Sequence, residues 1–117
     1  MLGAADREIR LGIWKMHVLH HADRGPVWGA WLLAELAEHG YALSPGTLYP
    51  ALIRMERNGW LRRTGTAPHA RARQTFRITP AGRALLAELK RDVAELHAEL
   101  VLGHEPEQAR RSSRRKR

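Results

Sequence analysis

Three histidines, His17, His20 and His21, stand at i, i+3 and i+4, a spacing that gathers imidazoles on one side of a helix. Neutral ring nitrogens so placed can ligate zinc or a similar ion, with His39, or His97 and His104, completing the set. The plainer reading is surface or cap histidines, and it gains weight because there is no cysteine and no carboxylate at a diagnostic spacing. A second stretch, Ser44 to Gly59, reads as an amphipathic helix. Leu48, Leu52 and Met55 recur at i, i+4 and i+7, and the other face carries Thr47, Tyr49, Ala51, Arg54 and Arg57. Small, hydrogen-bonding and basic side chains suit phosphates and base edges better than a catalytic task. Nothing points to an enzyme: Gly25 and Gly29 lack the partners of a phosphate loop, no serine sits in a nucleophile elbow, and the acids are dispersed.

Charge points the same way as that helix. Lysine and arginine number 20 against 12 acidic residues, a net +8, and half of the excess lies in residues 104–117. Such a surface calls for a polyanion, with double-stranded DNA ahead of an anionic membrane because no basic amphipathic helix or lipidation signal accompanies it. The lack of cysteine excludes disulfides and thiolate chemistry and fits a reducing cytoplasm. The first ten residues lack the basic start and apolar run of a signal peptide. No stretch approaches the roughly 20 apolar residues of a membrane span. The expectation is a cytoplasmic protein with no membrane contact. At 117 residues there is room for one small domain, and self-association would help its modest core.

These residues need elements to hold them. Residues 6–22 show helical spacing with two apolar stripes, one of Ile9, Ile13, Met16 and His20, the other of Leu11, Trp14, Val18 and His21. Two stripes need two neighbours, the domain body and a partner subunit. Asp23 to Pro26 is a break, and Pro26 opens a second helix with Trp28, Leu32 and Leu36 as its stripe, widened by Trp31 and Leu33. Trp14, Trp28 and Trp31 are read as core residues, with an effector pocket as the alternative. Gly40 ends the second helix. Ser44 caps the next helix and Pro45 opens it, a helix-turn-helix signature, while Pro50 should kink it or leave its first turn irregular.

Trp60–Thr64 and Gln74–Ile78 have strand composition and are joined by a polar loop, giving a two-stranded hairpin. Placed directly after such a helix, the hairpin reads as a wing, with Arg71 and Arg73, helped by Arg62 and Arg63, reaching phosphates or a minor groove. The alternative is a solvated loop. From Thr79-Pro80 a long helix runs to about Leu102, and Leu86, Leu89, Val93, Leu96 and Leu100 step by 3 and 4 as a heptad seam. That seam implies a homodimer; the alternative is packing onto the first helix of the same chain. The fold expected is mainly α: a winged helix-turn-helix over residues 6–78, a dimerisation helix over 79–103, and a basic, disordered tail over 104–117. A winged helix used only for protein contact competes with DNA binding, but it would not need Arg54, Arg57, Arg71 and Arg73 around one face.

The stretch Ser44-Pro-Gly-Thr-Leu-Tyr-Pro-Ala-Leu52, with Glu56-Arg-Asn-Gly-Trp-Leu61 and Phe76-Arg-Ile-Thr-Pro-Ala-Gly-Arg-Ala-Leu85, resembles the PadR family of bacterial transcriptional regulators over roughly residues 8–102. Within it the chain looks like the short subgroup with a single C-terminal dimerisation helix. The resemblance implies a dimeric repressor whose helices at residues 44–58 enter successive major grooves, with Tyr49 and the basic wing residues on the backbone; Ser44 and Thr47, at the start of that helix, are counted with the DNA-binding residues. A two-fold dimer then implies an inverted-repeat operator with half-sites about 34–36 Å apart. An effector, a small molecule or a metal ion sensed by the histidines, would release it. The chain departs from the family pattern where a Gly-Tyr pair usually opens the second helix, reading Trp28-Gly-Ala-Trp31 instead. It also carries no tryptophan on the last helix, which argues against a flat drug-stacking site there.

Overall fold

The structure, a computed structural model, describes residues 4–66 and 74–104. The loop arginines Arg71 and Arg73 and the basic tail beyond His104 lie outside the described residues. The chain is mainly helical with one antiparallel hairpin: α1 (Ala4–Arg24), α2 (Gly29–Glu38), α3 (Pro45–Arg57), β1 (Leu61–Thr66), β2 (Gln74–Ile78) and α4 (Pro80–Leu100). It divides after Leu86 into two compact units.

In the first unit, Trp14, Val18 and Ala22 of α1, Leu32 and Leu36 of α2, and Leu48, Leu52 and Met55 of α3 are buried. Leu61, Phe76 and Ile78 cover them from the hairpin, and Leu86 of α4 completes the core. Each buried helical set repeats at three or four residues, so one stripe per helix meets its neighbours. The other stripe of α1 is left bare: Ile9 is 75% and Ile13 41% exposed.

The second helix begins at Gly29, not at Pro26. Val27 is instead held in extended backbone by a two-way bridge to Phe76, Val27 N–H to Phe76 O at 2.9 Å and Phe76 N–H to Val27 O at 2.8 Å. A residue committed to a strand bridge cannot also be the first turn of a helix, so the break extends through Trp28. Trp31, expected to widen the buried stripe of α2, lies at its exposed edge.

Two helix ends share one stop. At α2, the Gly40 N–H donates to Ala37 O and the Tyr41 N–H to Leu36 O; at α3, the Gly59 N–H donates to Glu56 O and the Trp60 N–H to Met55 O. Gly40 and Gly59 have φ of 89° and 82°, the left-handed conformation this double closure requires. The four residues Tyr41 to Ser44 then carry the chain from α2 into α3.

The hairpin pairs Leu61 with Ile78, Arg62 with Arg77 and Arg63 with Phe76, then shifts register between Arg63 and Gly65. β1 runs two residues further than its composition suggests, because Gln74 Nε2 donates to Gly65 O at 2.6 Å and the Thr64 and Thr75 hydroxyls meet at 2.9 Å. After β2, Thr79 caps α4. Its hydroxyl accepts the Gly82 N–H at 2.9 Å and donates to Gly59 O, and its own N–H donates to Trp60 O at 3.0 Å. Gly82 lies so close to the Trp60 carbonyl that a β-carbon would overlap it. The Thr-Pro-x-Gly sequence is therefore a cap, a first helical residue and a backbone crossing in one motif.

In the second unit, the remainder of α4 carries the heptad seam. Leu89 is half-buried, whereas Val93, Leu96 and Leu100 are 45%, 54% and 75% exposed. Leu102 follows, exposed, before Gly103 turns the chain at φ 74°.

Candidate nucleic-acid interface

The face of α3 turned to solvent consists of Gly46, Thr47, Pro50, Ile53, Arg54 and Arg57. Thr47, Arg54 and Arg57 thus stand where the sequence put them. Ala51 does not: it is fully buried with Leu48 and Leu52, because it falls one turn before Met55 on the inner side. Tyr49 is half-buried, with its phenol against the backbone of Gly29. Ile53 takes the central exposed position instead, an apolar side chain suited to a thymine methyl.

Ser44 sits at the N-cap in extended conformation, but its hydroxyl makes no cap bond; it lies 3.3 Å from the Thr47 hydroxyl. The Ser44 carbonyl serves the first turn, accepting from both Thr47 and Leu48 N–H at 3.0 and 3.1 Å. Such shared acceptance is ordinary at a helix start, and the helix continues through Pro50 without a break. Gly46, whose carbonyl loses the Pro50 amide as partner, is exposed, so water can satisfy it. Ser44 and Thr47 also line a cleft of about 210 Å³ with Arg10, Leu11, Trp14 and Tyr41.

Cations gather around this face. Burial first, then the nearby Arg54 guanidinium, hold the Lys15 ammonium below its ordinary value, so α1 adds a charge beside α3. On the hairpin, strand alternation separates the arginines. Arg63 shares the inner face with Leu61; its Nε donates to Glu56 Oε2 at 2.8 Å and its guanidinium stands 5.7 Å from the Phe76 ring centroid. It ties the wing to α3 through Glu56 while remaining exposed. Arg62 and Arg77 are directly paired on the outer face, both exposed. Sequence reasoning missed Lys15 and Arg77. Arg77 was discoverable from the inward alternation of Phe76 and Ile78.

The histidines are also rearranged. His17, His21 and His39 bring ring nitrogens within 4.8 Å of one another, while His20 is exposed and outside this group. At i+3 from His17, His20 points away from α2, and His39 at the end of α2 takes its place. Burial is the main cause holding the His17 and His21 imidazoles below their ordinary value. For His17 the neighbouring His39, His21 and His20 add to it; for His21, Glu35 opposes it and His20, His39 and Arg24 add to it.

No described helix is long and apolar enough to cross a membrane. Residues 18–88 match the Transcriptional regulator PadR-like family. The chain is 47% identical over 97 residues to the transcriptional regulator Rv3488 of Mycobacterium tuberculosis, covering 83% of this chain and 91% of that protein. A PadR family transcriptional regulator from Eggerthella lenta is 32% identical with a TM-score of 0.66, covering 76% of this chain and 79% of that one. The fold also matches a PadR-like transcriptional regulator from Bacillus cereus, 24% identical, with a TM-score of 0.69 over 84% of this chain and 99% of that one. Family and relatives are regulators of transcription, not enzymes, and on motif, fold and kinship together the chain belongs to the PadR-like family of transcriptional regulators.

Proposed function

We propose that the chain is a dimeric repressor that binds an inverted-repeat operator in double-stranded DNA through α3 and the hairpin, and that an effector releases it. The observation that carries this reading is the exposed face of α3, with Thr47, Ile53, Arg54 and Arg57, where Lys15 of α1 adds a charge near Arg54. A helix of this length fits the major groove. Arg54 or Arg57 can pair with guanine edges, Ile53 with a thymine methyl, and Thr47 and Ser44 with phosphate at the helix start. Arg62 and Arg77 on the outer face of the hairpin then reach the backbone alongside, a role shared by Arg71 and Arg73 of the connecting loop.

Dimerisation is supported by what the chain leaves uncovered. Val93, Leu96 and Leu100 continue a heptad seam into solvent, and Ile9 and Ile13 form a second bare stripe on α1. Isolated exposed leucines are ordinary, but a periodic row on a helix is the pattern of a subunit interface. A two-fold dimer presents two α3 helices to half-sites about 34–36 Å apart. An effector acts by binding one spacing of these helices more tightly than another, since only differential affinity shifts such an equilibrium.

The test is binding of the purified chain to fragments of its own upstream region, in competition with random DNA. A single preferred fragment containing an inverted repeat supports the proposal. Equal, salt-labile binding to all fragments contradicts it and leaves a winged helix that contacts other proteins.

A further inference from the structure

We infer that His17, His21, His39 and Glu35 form a binding site for a borderline divalent cation such as zinc, at the junction of α1 and α2. The site is independent of the DNA-facing surface. His17 and His21 are one helical turn apart on α1, Glu35 and His39 one turn apart on α2, and the packing of the two helices brings the pairs together.

The geometry is close to that of a coordination shell. Glu35 Oε1 lies 3.3 Å from His21 Nε2 and 3.2 Å from His39 Nε2. Ligand atoms about 2.0–2.1 Å from a tetrahedral ion are about 3.3 Å from each other, so Glu35 already stands at that spacing from both His21 and His39. His17 completes the set. Its ring stacks on that of His39 with centroids 4.7 Å apart, and its nitrogen is within the 4.8 Å span of the three imidazoles. His39 is 44% exposed at the C-cap of α2, so its ring is the member of the set most accessible to an incoming ion. Trp31 stands edge-on to His21 at 5.2 Å and Tyr41 beside His17 at 5.7 Å, so aromatic rings hold the two α1 imidazoles from either side.

The donor set selects the ion class. Three imidazoles and one carboxylate suit zinc and its neighbours, whereas magnesium and calcium prefer all-oxygen shells and soft copper(I) prefers thiolates, absent from this chain. The imidazoles must be neutral to ligate, so binding is expected to weaken as pH falls. On binding, each coordinating ring carries its proton on the other nitrogen, and the contacts of His21 and His39 with Glu35 give way to shared coordination. The cation then fastens the last turn of α2 to the C-terminal turns of α1, just before the Gly40 turn that leads into α3.

The test is zinc titration of the chelator-treated, full-length protein against a chromogenic chelator, without DNA, so that its outcome is separate from that of operator binding. Wild type is expected to withhold one zinc per chain, His39→Ala and His17→Ala to lose at least about tenfold in affinity, and His20→Ala to match wild type. Thermal melts of the metal-free variants establish that they are folded. Failure of folded wild type to withhold zinc overturns the site. So does an affinity that His39→Ala leaves unchanged, or one that His20→Ala lowers as much as His39→Ala does.

Discussion

Arg62 lies directly across the hairpin from Arg77, both side chains on its exposed outer face. Like charges so opposed destabilise a strand pair, by a few tenths of a kcal/mol in general, and an anion lying over them would relieve that repulsion.

Arg77→Ala is therefore expected to raise or leave unchanged the melting temperature while weakening DNA binding. If Arg77 contacts one phosphate, the slope of log affinity against log salt falls by about 0.9. Affinity measured across a salt series, with a melt alongside, checks both halves.

Gly82 and Gly29 separate two kinds of close approach. A methyl group at Gly82 meets the Trp60 carbonyl, which the hairpin and the Thr79 cap hold in place; Gly82→Ala is expected to cost about 1–3 kcal/mol. At Gly29 the obstacle is the end of the Tyr49 side chain, which can swing away. Gly29→Ala should cost less stability yet displace Tyr49 from α2. Denaturant unfolding of the two variants, with tyrosine assignment by NMR, reads the contrast.

Leu96 lies mid-seam and more than half exposed in the single chain. Leu96→Glu is expected to convert a dimer to monomers while leaving the helical content of the fold intact. Sedimentation equilibrium with circular dichroism distinguishes this from unfolding, and an unchanged dimer would place the subunit contact elsewhere.

The depressed titration of His17 and His21 gives a signed pH dependence. His17 is faced by His20, His21 and His39 and by Glu35, and His21 by His20, His39, Glu35 and Arg24. Their folded values lie below the ordinary value of 6.5, so near pH 6 the unfolded chain binds more protons than the folded one. Stability is then lost as pH falls from the unfolded value toward the lower folded values, and zinc affinity falls through those folded values. Across this range wild type should lose more stability than His17→Asn, which lacks one of the two titrating rings. Saturating zinc should raise the wild-type melt near neutrality, by about 2.7 kcal/mol at a hundredfold excess over Kd.

Local pattern carries far in this chain. The spacing of Leu48, Leu52 and Met55 suffices to find the inner face of α3, and Gly40, Gly59 and Thr79-Pro80 mark element ends, because caps and periodicity act within a few residues. What sequence alone does not disclose depends on distant partners. Val27 is extended because Phe76 bridges it, Arg63 is ion-paired because α3 brings Glu56 to it, and His39 joins His17 and His21 because α2 packs on α1. Ala51 was misassigned for a subtler reason: its small size is compatible with either face, and only packing decides.

Arg54 tests the central proposal most directly. The measurement is competition binding of wild type and Arg54→Ala to the upstream fragment and to random DNA at several salt concentrations. If α3 reads bases, the variant loses about 1–3 kcal/mol on the preferred fragment and much less on random DNA, so that discrimination itself collapses. Equal, small losses on both would mean that Arg54 contributes only charge, and that α3 is not a base-reading helix.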